Sequence, residues 1–156
     1  MTWLVIRVRS NIGVERSIRE TMSYLNLTRV NHAVLVPEND TYAGMLQKAK
    51  DYVTWGKVGE ETISALISER GRLMGDKPIT DAVVKSETDF KTIKAFSKAI
   101  ASGESNTKAI SDMKPVFRLH PPRGAKGWGG IKRHFTVGGA LGFRGDAITE
   151  LAERMI

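Results

Sequence analysis

Residues 2–58 read TWLVIRVRSNIGVERSIRETMSYLNLTRVNHAVLVPENDTYAGMLQKAKDYVTWGKV, and the fold is decided there. Trp3 to Val8 is a β-branched and aromatic run with Leu4, Ile6 and Val8 on one face of a strand. Beyond Asn11 and Gly13, the residues Val14, Ile18, Met22 and Leu25 recur at helical spacing, while Arg16, Arg19 and Glu20 fall largely off that stripe. A helix ending near Asn26 is expected. Ala33 to Val36, closed by Pro37, has the composition of a short buried strand. Asp40 is the expected N-cap of a second helix, with Tyr42, Met45 or Leu46, Ala49 and Val53 along one face. A third strand around Thr54 to Val58 completes a β-α-β-α-β unit. Such a unit is an α/β (α+β) two-layer sandwich whose helices cover one face of the sheet and leave the other available. The pattern does not fix strand direction.

Outward from this module, residues 60–156 read as a C-terminal extension. Residues 60–113 are helical and nearly charge-balanced: one helix carries Ile63, Leu66 and Ile67 and ends at Gly71, and a second runs from about Phe90 to a stop at Gly103. A short helix holds Ala109 and Ile110, Val116 to Leu119 suits one more strand, and a closing helix with Ile148, Leu151 and Met155 follows Asp146 over residues 146–156. The helical part carries no chemical constellation, so packing is its expected role.

Residues 114–145, which include that strand and run up to the closing helix, form a basic glycine-rich segment with Lys114, Arg118, Arg123, Lys126, Lys132, Arg133 and Arg144 and not one Asp or Glu. The whole chain has 24 basic and 17 acidic side chains, so these seven residues account for its entire excess of +7. A near-neutral protein with a local cationic strip points to a polyanionic partner. Trp128, Phe135 and Phe143 interrupt the charges, and eight of the fifteen glycines fall here, which suits an ordered loop system rather than a lysine-rich tail. Arg and aromatic side chains together favour RNA, whose exposed bases stack on them.

Other chemistries find little support. His32, His120 and His134 pair with no carboxylate at a recognised metal-ligand spacing, the chain lacks Cys, and no Ser sits in a nucleophile elbow. The run from Gly127 to Lys132 superficially suggests a phosphate loop, but Lys132 is followed by Arg133 where Ser or Thr is required. Gly139, Gly142 and Gly145 recur at every third position, which suits glycines allowing positive φ in consecutive turns better than a specific phosphate cradle. A nuclease would need clustered carboxylates, and the strip has none. No enzymatic activity, metal or cofactor is expected, and no apolar run is long enough for a secretory signal or a membrane span.

Three segments in order, MSYLNLTRVNHAVLVP at residues 22–37, GMLQKAKDYVTWG at 44–56 and RLHPPRG at 118–124, resemble the large-ribosomal-subunit protein thirty family in its long archaeal form. A second Gly commonly follows the last segment in that family, whereas Ala125 stands here. The resemblance implies a small ribosomal module over residues 1–59, an extension that shorter bacterial relatives lack, binding to large-subunit ribosomal RNA, and neighbouring ribosomal proteins as partners in the cytoplasm. The expected RNA contacts are Lys114, Arg118, His120, Arg123, Lys126, Lys132, Arg133, His134 and Arg144, with Trp128 a stacking residue or a packing anchor. Arg7 and Arg9 at the end of the first strand, with Lys48 and Lys50 in the second helix, form a secondary candidate patch. The alternative is a protein-interaction or other RNA-binding module outside the ribosome.

Overall fold

The computed structural model describes residues 2–124 and 127–156, so the expected contact at Lys126 lies outside the described residues. In chain order the elements are β1 (Thr2–Arg7), α1 (Arg16–Tyr24), β2 (His32–Pro37), α2 (Asp40–Lys48), β3 (Val53–Lys57), α3 (Glu60–Arg70), α4 (Asp81–Glu87), α5 (Ile93–Ser102), β4 (Phe117–Arg118), β5 (Gly130–His134), β6 (Gly139–Phe143) and α6 (Ile148–Met155). The expected β-α-β-α-β order is therefore present. β1 lies between β2 and β3 and is antiparallel to both, with Val5 opposite Val34 on one side and Trp55 on the other.

β1 is apolar from Trp3 to Ile6, as suits a strand buried on both faces. Val5 joins Val34, Val36, Val53 and Trp55 of the sheet and Met22, Leu25 and Leu46 from the α1 and α2 region in one cluster. Leu4, Ile6 and Ala33 point the opposite way. That second face, which the first module leaves open, is filled by the extension: Ile63, Leu66 and Ile67 of α3, Phe96 and Ile100 of α5, and Ile148, Leu151 and Met155 of α6. Full burial of an aliphatic side chain of this size contributes about 1.5–3 kcal/mol. The result is three layers, with the two-layer unit of residues 1–59 as one half.

Local signals explain the boundaries. Asn39, in extended conformation, caps α2 by accepting from the Tyr42 N–H at 2.9 Å, so Asp40 is the first helical residue rather than the cap. Its carboxylate there complements the positive end of the helix dipole. Thr92 likewise caps α5 through the Ala95 N–H, which places Phe90 before the helix, and Gly103 ends it with φ +87°. Instead of a short helix at Ala109 and Ile110 there is one 3-10 turn, Thr107–Ala109.

The extension also completes the sheet, whose order is β4-β2-β1-β3-β6-β5. Thus, beyond the expected strand that appears as β4, the part of the strip expected to be loops contains two more strands, β5 and β6. β6 runs parallel to β3 and is stitched to it by the Thr54 hydroxyl, which donates to the Gly142 carbonyl at 2.8 Å, and by the Arg144 N–H donating to the Trp55 carbonyl at 2.9 Å. Gly142 has φ +82°, a conformation that favours glycine, and a Cβ there would sit 2.0 Å from the His134 Nε2, so a larger residue would also have to displace that ring. Gly56 is needed for close approach, since its Cβ would lie 2.1 Å from the Gly145 carbonyl oxygen.

Candidate nucleic-acid interface

The cationic strip straddles the sheet. Its first arm, Lys114 to His120, runs along β4 at one edge; its second, Lys132 to His134, is in β5 at the other edge. Five strand spacings separate the two edges, roughly 24 Å. Arg118, His120, Arg123, Lys132 and Arg133 are exposed, whereas Lys114 and His134 are half-buried.

The described residues between the arms, 121–124 and 127–129, lie at the end of the sheet where β1 finishes and β2, β3 and β6 begin, and they are tied to the C-terminus of α6. The His120 and Arg123 N–H groups donate to the carbonyls of Met155 and Arg154, at 2.9 and 3.1 Å. These carbonyls lack partners within the helix, so this backbone caps α6 while α6 fixes it in place. Arg154 reinforces this: its Nε donates to the Arg123 carbonyl at 2.7 Å and its Nη2 to that of Gly127 at 2.6 Å. Trp128 is half-buried against Val8, Ala140 and Leu141, so packing anchors the strip at its centre.

At the same end of the sheet lie Arg9, which follows β1 and stacks over the Tyr52 ring at 5.3 Å, and Lys48 and Lys50, which lead into β3. Arg29 precedes β2 there. Arg7 does not belong with them. It is 1% exposed; its Nε donates to the Arg9 carbonyl at 2.8 Å, its Nη1 to the Leu27 carbonyl at 2.7 Å, and its Nη2 to the Asn11 side chain. A guanidinium spent on three internal acceptors is a structural tie, and Arg7 is withdrawn from the secondary patch. Burial pushes its pKa down.

Arg144 is also largely committed inward. Its Nε donates to the Thr54 hydroxyl and its Nη2 to the Ala140 carbonyl, both at 2.8 Å, and the group lies 4.8 Å from the Phe135 ring centre. Burial, and then the neighbouring Arg154 charge, lower its pKa to about 10, which still leaves it cationic near neutral pH. His32, opposite Arg118 across the β2–β4 ladder, is held below the ordinary histidine value of 6.5 by burial first and by Arg118, Arg29 and Arg7 after it.

Five acids lie at the other end of the sheet, where Glu38 follows β2, Asp40 opens α2, Glu60 and Glu61 open α3, and Asp146 follows β6, with Lys57 at the end of β3 paired to Glu38 there. Among the described residues no three His, Asp or Glu side chains come together in a way that would hold a metal ion.

A sheet end that gathers cations from β4, β5 and the loops between them is suited to a phosphate backbone, and comparison with known proteins shows the family to which the chain belongs. The family model for ribosomal protein L30p/L7e matches residues 3–53. The large ribosomal subunit protein uL30 of Methanosphaera stadtmanae is 49% identical over 154 residues, covering 99% of each chain. Those of Methanopyrus kandleri and Methanococcus vannielii are 48% and 45% identical, covering 96% and 100% of this chain and 100% of each relative. The chain belongs to the uL30 family of large ribosomal subunit proteins.

Within this uL30 chain, sequence reasoning passed over Arg29, Arg70, Arg72, Asp76 and Arg154. Each lies outside the strip in sequence and reaches it only through the fold. Asp76 accepts a hydrogen bond from Lys114 at 2.6 Å and lies 3.8 Å from Arg118, so one carboxylate enters the strip from a turn far away in the chain. A basic residue at the end of a helix, as Arg70 and Arg154 are, was the one available hint.

Proposed function

We infer that this protein is a structural, non-enzymatic constituent of the large ribosomal subunit that binds and positions ribosomal RNA in support of translation. The observation that carries the reading is the match to uL30 chains over essentially the full length. The exposed cations Arg118, His120, Arg123, Lys132 and Arg133 contact phosphates or base edges, joined by Lys114, Lys126, His134 and the free edge of Arg144. Arg9, Lys48 and Lys50 add a secondary patch, and the exposed part of Trp128 meets RNA. Residues 1–59 act as the ribosomal module and residues 60–156 as its extension. Neighbouring large-subunit proteins complete its surroundings, in the cytoplasm. No described helix is long and apolar enough to cross a membrane.

Replacing Arg123 and Arg133 with Glu tests the site. Binding to large-subunit ribosomal RNA fragments should vanish while the circular dichroism spectrum stays unchanged; binding at wild-type strength would remove these residues from the interface. With about five phosphates neutralised, a fourfold rise in salt should weaken wild-type binding by two to three decades, from a slope of roughly −0.7 to −0.9 per contact.

A further inference from the structure

A cleft beside β4 is lined by Arg70, Arg72, Lys114 and Arg118, with Asp76 at its mouth. Four cationic side chains and one carboxylate line it, and the carboxylate pairs with Lys114 and Arg118. Two of the cations come from the end of α3 and the residues just after it, far from the strip. The backbone holds the group together: the Lys114 N–H donates to the Arg72 carbonyl at 2.9 Å, Leu73 bridges to Met113, and the Arg70 Nη2 donates to the Ile156 carbonyl at 2.8 Å. Asp76 differs from these. It sits at φ +60° on the tip of the turn between Leu73 and Lys77, with its side chain 62% exposed.

We propose that the cleft is a seat for a phosphodiester of the RNA backbone and that the Asp76 carboxylate holds the place of that phosphate until RNA arrives. The inference rests on the RNA-binding reading above. A phosphodiester carries one negative charge on two non-bridging oxygens, as a carboxylate does, so exchanging one for the other keeps the cations neutralised. Guanidinium groups suit the exchange because they bind either oxyanion in a bidentate way. An exposed ion pair is weak and breaks readily, and Asp76 is carried by a turn rather than by a helix or strand. The same pairing with Lys114, Arg118 and Arg72 keeps the carboxyl ionised to below its ordinary pKa, so the seat is filled whenever RNA is absent near neutral pH.

The test measures binding of the full chain to archaeal large-subunit ribosomal RNA across a salt series. Asp76→Asn should bind about fivefold more tightly, the size of one like-charge contact near 4 Å in a water-like medium. Arg72→Ala should flatten the logarithmic salt slope by roughly 0.7–1, as the loss of one phosphate contact does. In an Arg72→Ala/Arg118→Ala background, the gain from Asp76→Asn should fall below twofold; Arg118→Ala alone serves if the double background melts early. An Asp76→Asn affinity equal to wild type, or a gain of full size in the truncated background, overturns the placeholder role. If Arg123→Glu/Arg133→Glu abolishes binding while the cleft variants change nothing, only the cleft is lost. Failure of the wild-type protein to bind this RNA overturns both readings.

Discussion

Arg7 provides a sharp test, because the sequence places it on a basic surface and the structure places it inside. In Arg7→Met the apolar stem is kept and the three donations to Arg9, Leu27 and Asn11 are lost. Hydrogen bonds to a charged group contribute about 1.5 kcal/mol each at the conservative end, hence about 4.5 kcal/mol together. Removing the cost of burying a cation returns part of this, so a net loss of about 2–4 kcal/mol is expected. For a chain of this length that lowers the melting temperature by roughly 4–16 °C. Urea denaturation followed by circular dichroism gives the free energy, and RNA binding of the still-folded variant at low temperature should stay within twofold of wild type. A loss below about 0.5 kcal/mol accompanied by weakened RNA binding would refute the argument and return Arg7 to the surface patch.

Gly142→Ala combines a positive φ with a Cβ driven into the His134 ring. It should destabilise the protein by about 2–4 kcal/mol in urea titration and loosen β6 first, seen as faster amide exchange at Leu141 and Phe143. His32 makes stability depend on pH: the unfolded chain takes up a proton near pH 6.5 that the folded chain refuses, so stability is flat above that value and falls as the pH is lowered through it. A His32→Gln variant should show a shallower fall in melting temperature between about pH 6.5 and 5, and an identical slope would assign the acid sensitivity elsewhere.

The N-terminal half of the fold was legible because its strands and helices repeat apolar residues at two different periods. α3 and α5 were legible for the same reason, with Gly71 and Gly103 ending them. α4 escaped notice because only Val84 is buried in a helix of seven residues, too little for a stripe. β6 reads Gly-Ala-Leu-Gly-Phe, and two glycines disguise a strand whose pairing to Thr54 and Trp55 is set entirely by tertiary contacts.

The site was legible as charge but not as shape. Single-sign composition located residues 114–145 without showing that their two arms lie on opposite edges of one sheet. Arg7 and Arg9 look alike in the sequence, yet one ends a doubly buried strand and the other lies beyond it. Arg70, Arg72 and Asp76 were out of reach for the opposite reason: in a charge-balanced segment nothing distinguishes them until Lys114 is brought against Asp76.

The confinement of the excess positive charge to one strip has a kinetic consequence. A body whose whole excess of +7 sits in residues 114–145 carries its charge unevenly, and the field of a nucleic acid exerts a torque on it before any atom touches. The protein then approaches already rotated, strip first, and fewer collisions are wasted on the wrong face. Steering of this kind raises association rates by about 10- to 1000-fold and fades as ionic strength rises. The charge-balanced remainder of the chain thus matters as well, because it leaves the strip as the face that lands.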